Sequence, residues 1–343
     1  AASDVYKRQM FNQATVHYKT VTVNQSGLTK SVKPVGQPLY QISATVEGKS
    51  VYTYKLSYQT EKQTNADQLV FYDVLENGAE NKPSAWQGTL QSVDVSAIEG
   101  KPSAGKEKGA LVPVVYYATR IPAINQFDLT DPIWSTTKPQ DMKQVKAIAI
   151  DCTKAKKGDQ DTNFVLEKGA SLSVLVNLVA PTDPALDGKT AVNEGMIMTR
   201  TFSGSKAPAT NMIRALQADA EVTLKMPKIR ISGEKVWNDQ NDTAGIRPEE
   251  VTIKLFANGK DTGKKTKATN TSNWKYTFDA LDLYDANGNK IVYTVKEVPV
   301  KGYTTAIKGT TITNTYNKPW TPIDPAKTSL TVTKAWSGVA QNY

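Results

Sequence analysis

IRISGEKVW at 229–237 and TTITNTY at 310–316 open and close a stretch in which apolar and polar side chains alternate almost without interruption. Between them lie VTIKLFANG (251–259), NWKYTFDA (273–280) and YTVKEVPVKGY (293–303). Period-2 alternation in short runs, separated by Asn-Gly turns such as FANGKDTG and DANGNK, predicts about seven antiparallel-type strands and an all-β fold. Successive strand side chains point to opposite faces, so parity predicts burial. One parity holds Val251, Ile253, Leu255, Trp274, Tyr276, Phe278, Tyr293, Val295, Ile312 and Tyr316. The same parity also holds Lys235, Glu297 and Asn314. Three polar groups on a core face are costly unless they meet one another. Two outcomes satisfy them. One is a buried Lys–Glu ion pair with the Asn hydrogen-bonded alongside. The other is attack of a desolvated Lys235 amine on the Asn314 carboxamide, assisted by Glu297.

Working outward, KMPK (225–228) reads as a hinge, and NKPWTPIDPAKT supplies a proline-stiffened linker over 318–327. SLTVTKAWSG then repeats the earlier ISGEKVWND, with Lys334 and Trp336 standing 99 residues (334 − 235) after Lys235 and Trp237. A recurrence of that size predicts an array of domains. Residues 328–343 are expected to be the first strand of a second copy, which leaves Lys334 without partners in this segment. Towards the N-terminus, 21–226 carries further alternating runs, among them VYTYKLSYQ, QLVFYDVLE, VKAIAIDC and LSVLVNLVAP, and predicts a larger β-sandwich. ATNMIRALQAD (209–219) is its one expected helix. FNQATVHY, within 10–20, is expected to be the terminal strand of a truncated preceding domain. AASDVYKRQ (1–9) is expected to be a non-native or disordered leader, so that any signal and anchor lie outside the segment.

Composition narrows the function. The chain has 343 residues and a net charge of +9, from 42 Lys+Arg against 33 Asp+Glu. Its lysines are scattered rather than clustered with aromatics, so nucleic acid is not an expected partner. No apolar run approaches a membrane span. His17 is the only histidine, which argues against a Ser/His/Asp triad or a multi-His metal site, and neither cofactor nor metal is expected. Cys152 is the only cysteine, so an intrachain disulfide is excluded; in its strand-like run a buried thiol is the expectation. A disulfide-free extracellular β-domain needs another staple.

GEKVWND, RPEEVTIKLFANG, WKYTF, YTVKEVPVKGY and TITNTY together resemble a Cna B-type domain, the repeated Ig-like stalk module of Gram-positive collagen adhesins and Spa-type pilins. SLTVTKAW resembles the start of another. The resemblance implies tandem β-sandwiches on the bacterial cell wall. It also implies no enzymatic turnover, and an autocatalytic isopeptide bond between Lys235 and Asn314 with Glu297 as the catalytic acid. GLTKSVKP, QLVFYDVLENG and LSVLVNLVAPTDP before VNEGMIM resemble isopeptide-forming sandwich repeats of large bacterial surface proteins. That resemblance implies a second cross-link set of Lys30, Asp73 and Asn193, with Asn177 a rival to Asn193 and Asn12 at the matching position of the preceding repeat. Expected partners are the rest of the same surface protein and, in an alternative reading, a host matrix protein or glycan bound by 21–226. Trp86 and Trp134, in NKPSAW and DPIWST, are the candidate ligand contacts for that alternative.

Overall fold

The structure, a computed structural model, describes residues 27–79, 82–95, 110–123, 126–204 and 214–317. The expected leader, the 10–20 strand with Asn12 and His17, the linker, and the second copy with Lys334 lie outside the described residues. Two compact units emerge: described residues up to Ile229 together with Ala280–Ile291, and Arg230–Asp279 together with residues from Val292 on. Among the described residues there is no α-helix, only three 3-10 turns.

The first unit's strands are β1 (Gly27–Pro34), β2 (Ser43–Glu47), β3 (Val51–Gln59), β4 (Asn65–Val74), β5 (Thr89–Asp94), β6 (Ala110–Leu111) and β7 (Val114–Ala118). They continue with β8 (Ala147–Asp151), β9 (Lys154–Lys157), β10 (Gln160–Asn163), β11 (Ser171–Val179), β12 (Thr190–Phe202) and β13 (Arg214–Lys225). A four-stranded sheet, β1-β3-β11-β5, faces a six-stranded sheet, β2-β13-β12-β4-β8-β7, and β10-β9-β6 forms a small third sheet. The core between the two large sheets joins Val32, Tyr54, Leu56, Val174 and Val176 to Phe71, Ile148, Ile150, Ile197 and Val222. A second apolar cluster covers the opposite face of the six-stranded sheet, where Tyr72, Ala147 and Ala149 pack with Ile133 and Trp134.

Each sheet face explains a run of sequence. β4 is apolar on both sides because Leu69 and Phe71 enter the main core while Tyr72 enters the second cluster. Residues 214–219 are not helical, which corrects that part of the 209–219 expectation. They lie in β13, antiparallel to β12, with Ala220, Val222 and Leu224 buried along one face. Helix propensity in ALQADAE is overridden by alternation and by a long partner strand. Cys152 is fully buried in the main core, and burial pushes its thiol pKa far up, so it acts as a small apolar side chain.

The second unit is built from β14 (Lys228–Asn238), β15 (Glu250–Ala257), β16 (Lys260–Thr269), β17 (Lys275–Asp282), β18 (Tyr293–Glu297), β19 (Tyr303–Lys308) and β20 (Thr311–Tyr316). Two sheets result, ordered β17-β14-β20-β19 and β16-β15-β18. The alternating set Val251, Ile253, Leu255, Tyr276, Phe278, Val295 and Ile312 is buried between them. β14 and β20, the first and last strands, are parallel neighbours, with Lys235 opposite Ile312 and Trp237 opposite Asn314.

Candidate functional sites: two buried Lys–acid–Asn clusters

In the second unit β14 presents Lys235 and its parallel neighbour β20 presents Asn314, while β18 of the facing sheet presents Glu297. The Lys235 and Glu297 side chains are both fully buried, with Nζ 3.6 Å from Glu297 Oε1. Lys235 Nζ also donates to the carbonyls of Val236 at 3.1 Å and Ile312 at 3.5 Å, and lies 4.2 Å from the centre of the Trp237 ring. Burial lowers the Lys235 pKa to about 8, with Glu297 pulling the other way. Thr305 Oγ1 donates to Glu297 Oε2 at 3.0 Å. Asn314 is fully buried, and neither its Oδ1 nor its Nδ2 has a hydrogen-bond partner.

Arg247 donates twice to Asp239 and lies 5.4 Å from the centre of the Trp237 ring. Tyr303 Oη donates to Asp239 Oδ2 at 3.0 Å. These bonds, Arg247 above all, hold the Asp239 carboxyl down at about 2.

The first unit contains a second cluster of the same composition. Lys30 on β1 crosses from the four-stranded sheet to Asp73 on β4 of the six-stranded sheet, with Nζ 2.8 Å from Oδ2 and both side chains fully buried. Burial lowers the Lys30 pKa against the opposing pull of Asp73. Asn193 lies on β12, the strand next to β4, two residues before Gly195, which pairs with Asp73. It too is fully buried with Oδ1 and Nδ2 both unpartnered, and Asp73 Oδ1 is likewise unpartnered. Gly195 gives the amine its room: a Cβ there would stand 3.2 Å from Lys30 Nζ and 2.5 Å from Leu56 Cδ2. Asn177, by contrast, is satisfied elsewhere, accepting from Thr53 at 2.6 Å and donating to Ser92 at 3.0 Å.

The two candidate ligand-contact tryptophans need correction. Trp86 and Trp134 are each only 6% exposed. Trp86 packs edge-on to Tyr52 and donates its indole N–H to Lys189 O; Trp134 packs on Tyr72 and donates to Gln126 O. Their polar neighbours in sequence suggested surface loops, but the rings fold inward as anchors. One buried acid escaped the sequence reading altogether. Glu76 follows β4 out of phase with its core face, at a left-handed φ of 48°, and accepts hydrogen bonds from both Tyr52 and Tyr54.

The architecture defines a class: β-sandwich modules, the second of them closed by pairing of its first and last strands. Residues 231–315 match the family model of the Cna protein B-type domain. The chain is 37% identical over 202 residues to a collagen adhesin of Staphylococcus aureus, an alignment that spans 58% of this chain and 14% of that protein. Among solved structures, two B repeat units of the collagen binding protein of Staphylococcus aureus share 32% identity over 41% of this chain and 37% of that one, with a TM-score of 0.27. BcpA, the major pilin subunit of Bacillus cereus, shares 12% identity over 85% of this chain and 71% of that one, with a TM-score of 0.33.

Proposed function

We propose that the chain is a stalk segment of a Gram-positive cell-surface adhesin or pilin, in which each described sandwich is closed by an autocatalytic Lys–Asn isopeptide bond. One observation carries this reading. In both units a buried lysine amine meets a buried acid beside a buried asparagine whose carboxamide has no other partner. Leaving such groups unsatisfied costs about 1–3 kcal/mol each, so an arrangement that strands both carboxamide atoms twice calls for a chemical use.

The chemistry balances without a cofactor. Neutral Lys235 Nζ attacks Asn314 Cγ, and a new C–N bond forms. Glu297 donates to the carboxamide and collects the proton that Nζ sheds. The Cγ–Nδ2 bond then breaks and ammonia leaves. Lys30, Asp73 and Asn193 take the same roles in the first unit. The bond forms once, so this is maturation rather than turnover.

The test is the intact mass of the purified chain. Two ammonias are expected to be missing. Lys235→Ala and Glu297→Ala should each restore one, and Lys30→Ala the other. A full mass in the unaltered chain would sink the reading. Matrix-ligand binding by the first unit is a second reading. Its support is the similarity to a collagen adhesin, together with a cleft of about 530 Å³ on the outer face of the six-stranded sheet, lined by Tyr72, Phe127, Met196 and Met198.

A further inference from the structure

Next to the Lys30 cluster lies a buried acid that the cross-linking chemistry above leaves unused. Glu76 is 3% exposed. Its Oε1 accepts from Tyr52 Oη at 2.5 Å and Tyr54 Oη at 3.0 Å, and its Oε2 accepts from the Gly88 backbone N–H. Burying a carboxylate this completely is expensive, and three donors converging on it mark a built arrangement rather than a stray turn residue. Backbone is spared to make room for it: a Cβ at Gly88 would fall 2.2 Å from Tyr52 Oη and 3.2 Å from Glu76 Oε2.

The network ends at the reacting amine. Tyr54 pairs with Val32 across β1 and β3, and Lys30 Nζ rests 5.0 Å from the centre of the Tyr54 ring. The ring thus has Lys30 on its face and Glu76 at its hydroxyl. We propose that Glu76 is a positioning residue for the Lys30–Asn193 cross-link: by gripping the Tyr54 hydroxyl it fixes the ring that holds the Lys30 amine in line between Asp73 and Asn193. This rests on the cross-link reading for the first unit. A ring free to rotate would let the amine drift, and small misplacements of a reacting atom are costly in rate.

Glu76 also bears on the amine through its charge. Burial raises its pKa to about 7, with the hydrogen bonds from Gly88, Tyr52 and Tyr54 pulling the other way. The charged groups acting on Lys30 are Asp73 on β4, Glu76 itself and Glu194 on β12, and all three favour the ammonium form. Ionised Glu76 therefore opposes release of the Lys30 proton, and neutral Glu76 does not.

The experiment uses the full chain carrying Lys235→Ala, so that any missing ammonia reports on Lys30. The chain is isolated in denaturant from inclusion bodies before cross-linking and refolded on both sides of pH 7. Loss of ammonia is then followed by mass, with near-UV circular dichroism as the check on folding. Glu76→Leu and Tyr54→Phe should each slow the reaction by about tenfold or more. Tyr54→Phe keeps the ring and removes only its tether, so it decides the matter if Glu76→Leu fails to fold. Glu76→Gln retains an acceptor for the hydroxyls without the charge, and its rate relative to the parent should rise as pH is raised through 7. Parental rates in Glu76→Leu and Tyr54→Phe would overturn the proposal, as would a Gln-to-parent ratio that ignores pH. If the parent itself loses no ammonia, the first-unit cross-link is wrong and this inference falls with it.

Discussion

Asn314→Ala separates a cross-linked second unit from a merely polar one by the sign of its effect. With a Lys235–Asn314 bond, the closed loop is 79 residues (314 − 235). Treated by the loop-entropy relation for disulfides, its loss destabilises the unit by about 4–5 kcal/mol. For a domain of this size each kcal/mol shifts the midpoint by about 4–8 °C, so a drop of about 16–40 °C is expected. Without the bond, the same substitution removes two buried polar atoms that have no partners, each costing about 1–3 kcal/mol, and leaves the Lys235–Glu297 pair untouched. The variant would then be as stable as the parent or more so, less a small term for the lost volume. Lys235→Ala lacks this resolving power, because it strands Glu297 in either case. Scanning calorimetry of both chains, with intact mass read on the same samples, provides the comparison. A variant melting at or above the parent would refute the cross-link and the loop-closure reasoning together.

Asp73→Ala removes the partner of a fully buried lysine, and should cost the first unit about 3–5 kcal/mol in urea unfolding while abolishing one ammonia loss. Because this variant also lacks the Lys30–Asn193 bond, an unchanged urea midpoint would count against the first-unit cross-link. Asp239 supplies a pH signature in the second unit: its carboxyl titrates at about 2 in the folded state against 3.8 ordinarily. A depressed folded pKa adds stability that is complete above the unfolded value and is lost as pH falls through the folded one. Unfolding of the parent should therefore show a loss between about pH 4 and pH 2 that Arg247→Met lacks, and identical acid limbs would count against the Arg247–Asp239 contribution.

How much of this was legible depended on how many faces of a strand are buried. In the second unit one face is apolar and the other polar, so parity alone placed Lys235, Glu297 and Asn314 on the core side, where their side chains lie. In β4 both faces are apolar, because a second cluster covers the sheet from outside, and Asp73 could not be assigned from alternation. Only the partner strands decide it, and they are distant in sequence: β12 and β8 flank β4. Trp86 and Trp134 misled because polar neighbours describe a loop's path, not where a large ring turns. Glu76 was invisible for a related reason. It sits just past the strand, where alternation has stopped, and its burial is produced by tyrosines more than twenty residues earlier (76 − 52 = 24; 76 − 54 = 22).

The parallel pairing of β14 with β20 has a consequence for a protein that is pulled. Parallel neighbours run the same way, so the chain enters this unit at one end of their shared ladder and leaves at the other. Tension applied through the termini therefore loads that ladder lengthwise. With Lys235 bonded to Asn314, force passes from one strand to the other through a single amide, and the 78 residues between them (236–313) carry none of it. Unfolding would otherwise pay out about 260–280 Å of slack chain from this unit alone. In the proposed stalk, a row of such units would keep its length under load and hold whatever it carries at a fixed distance from the surface.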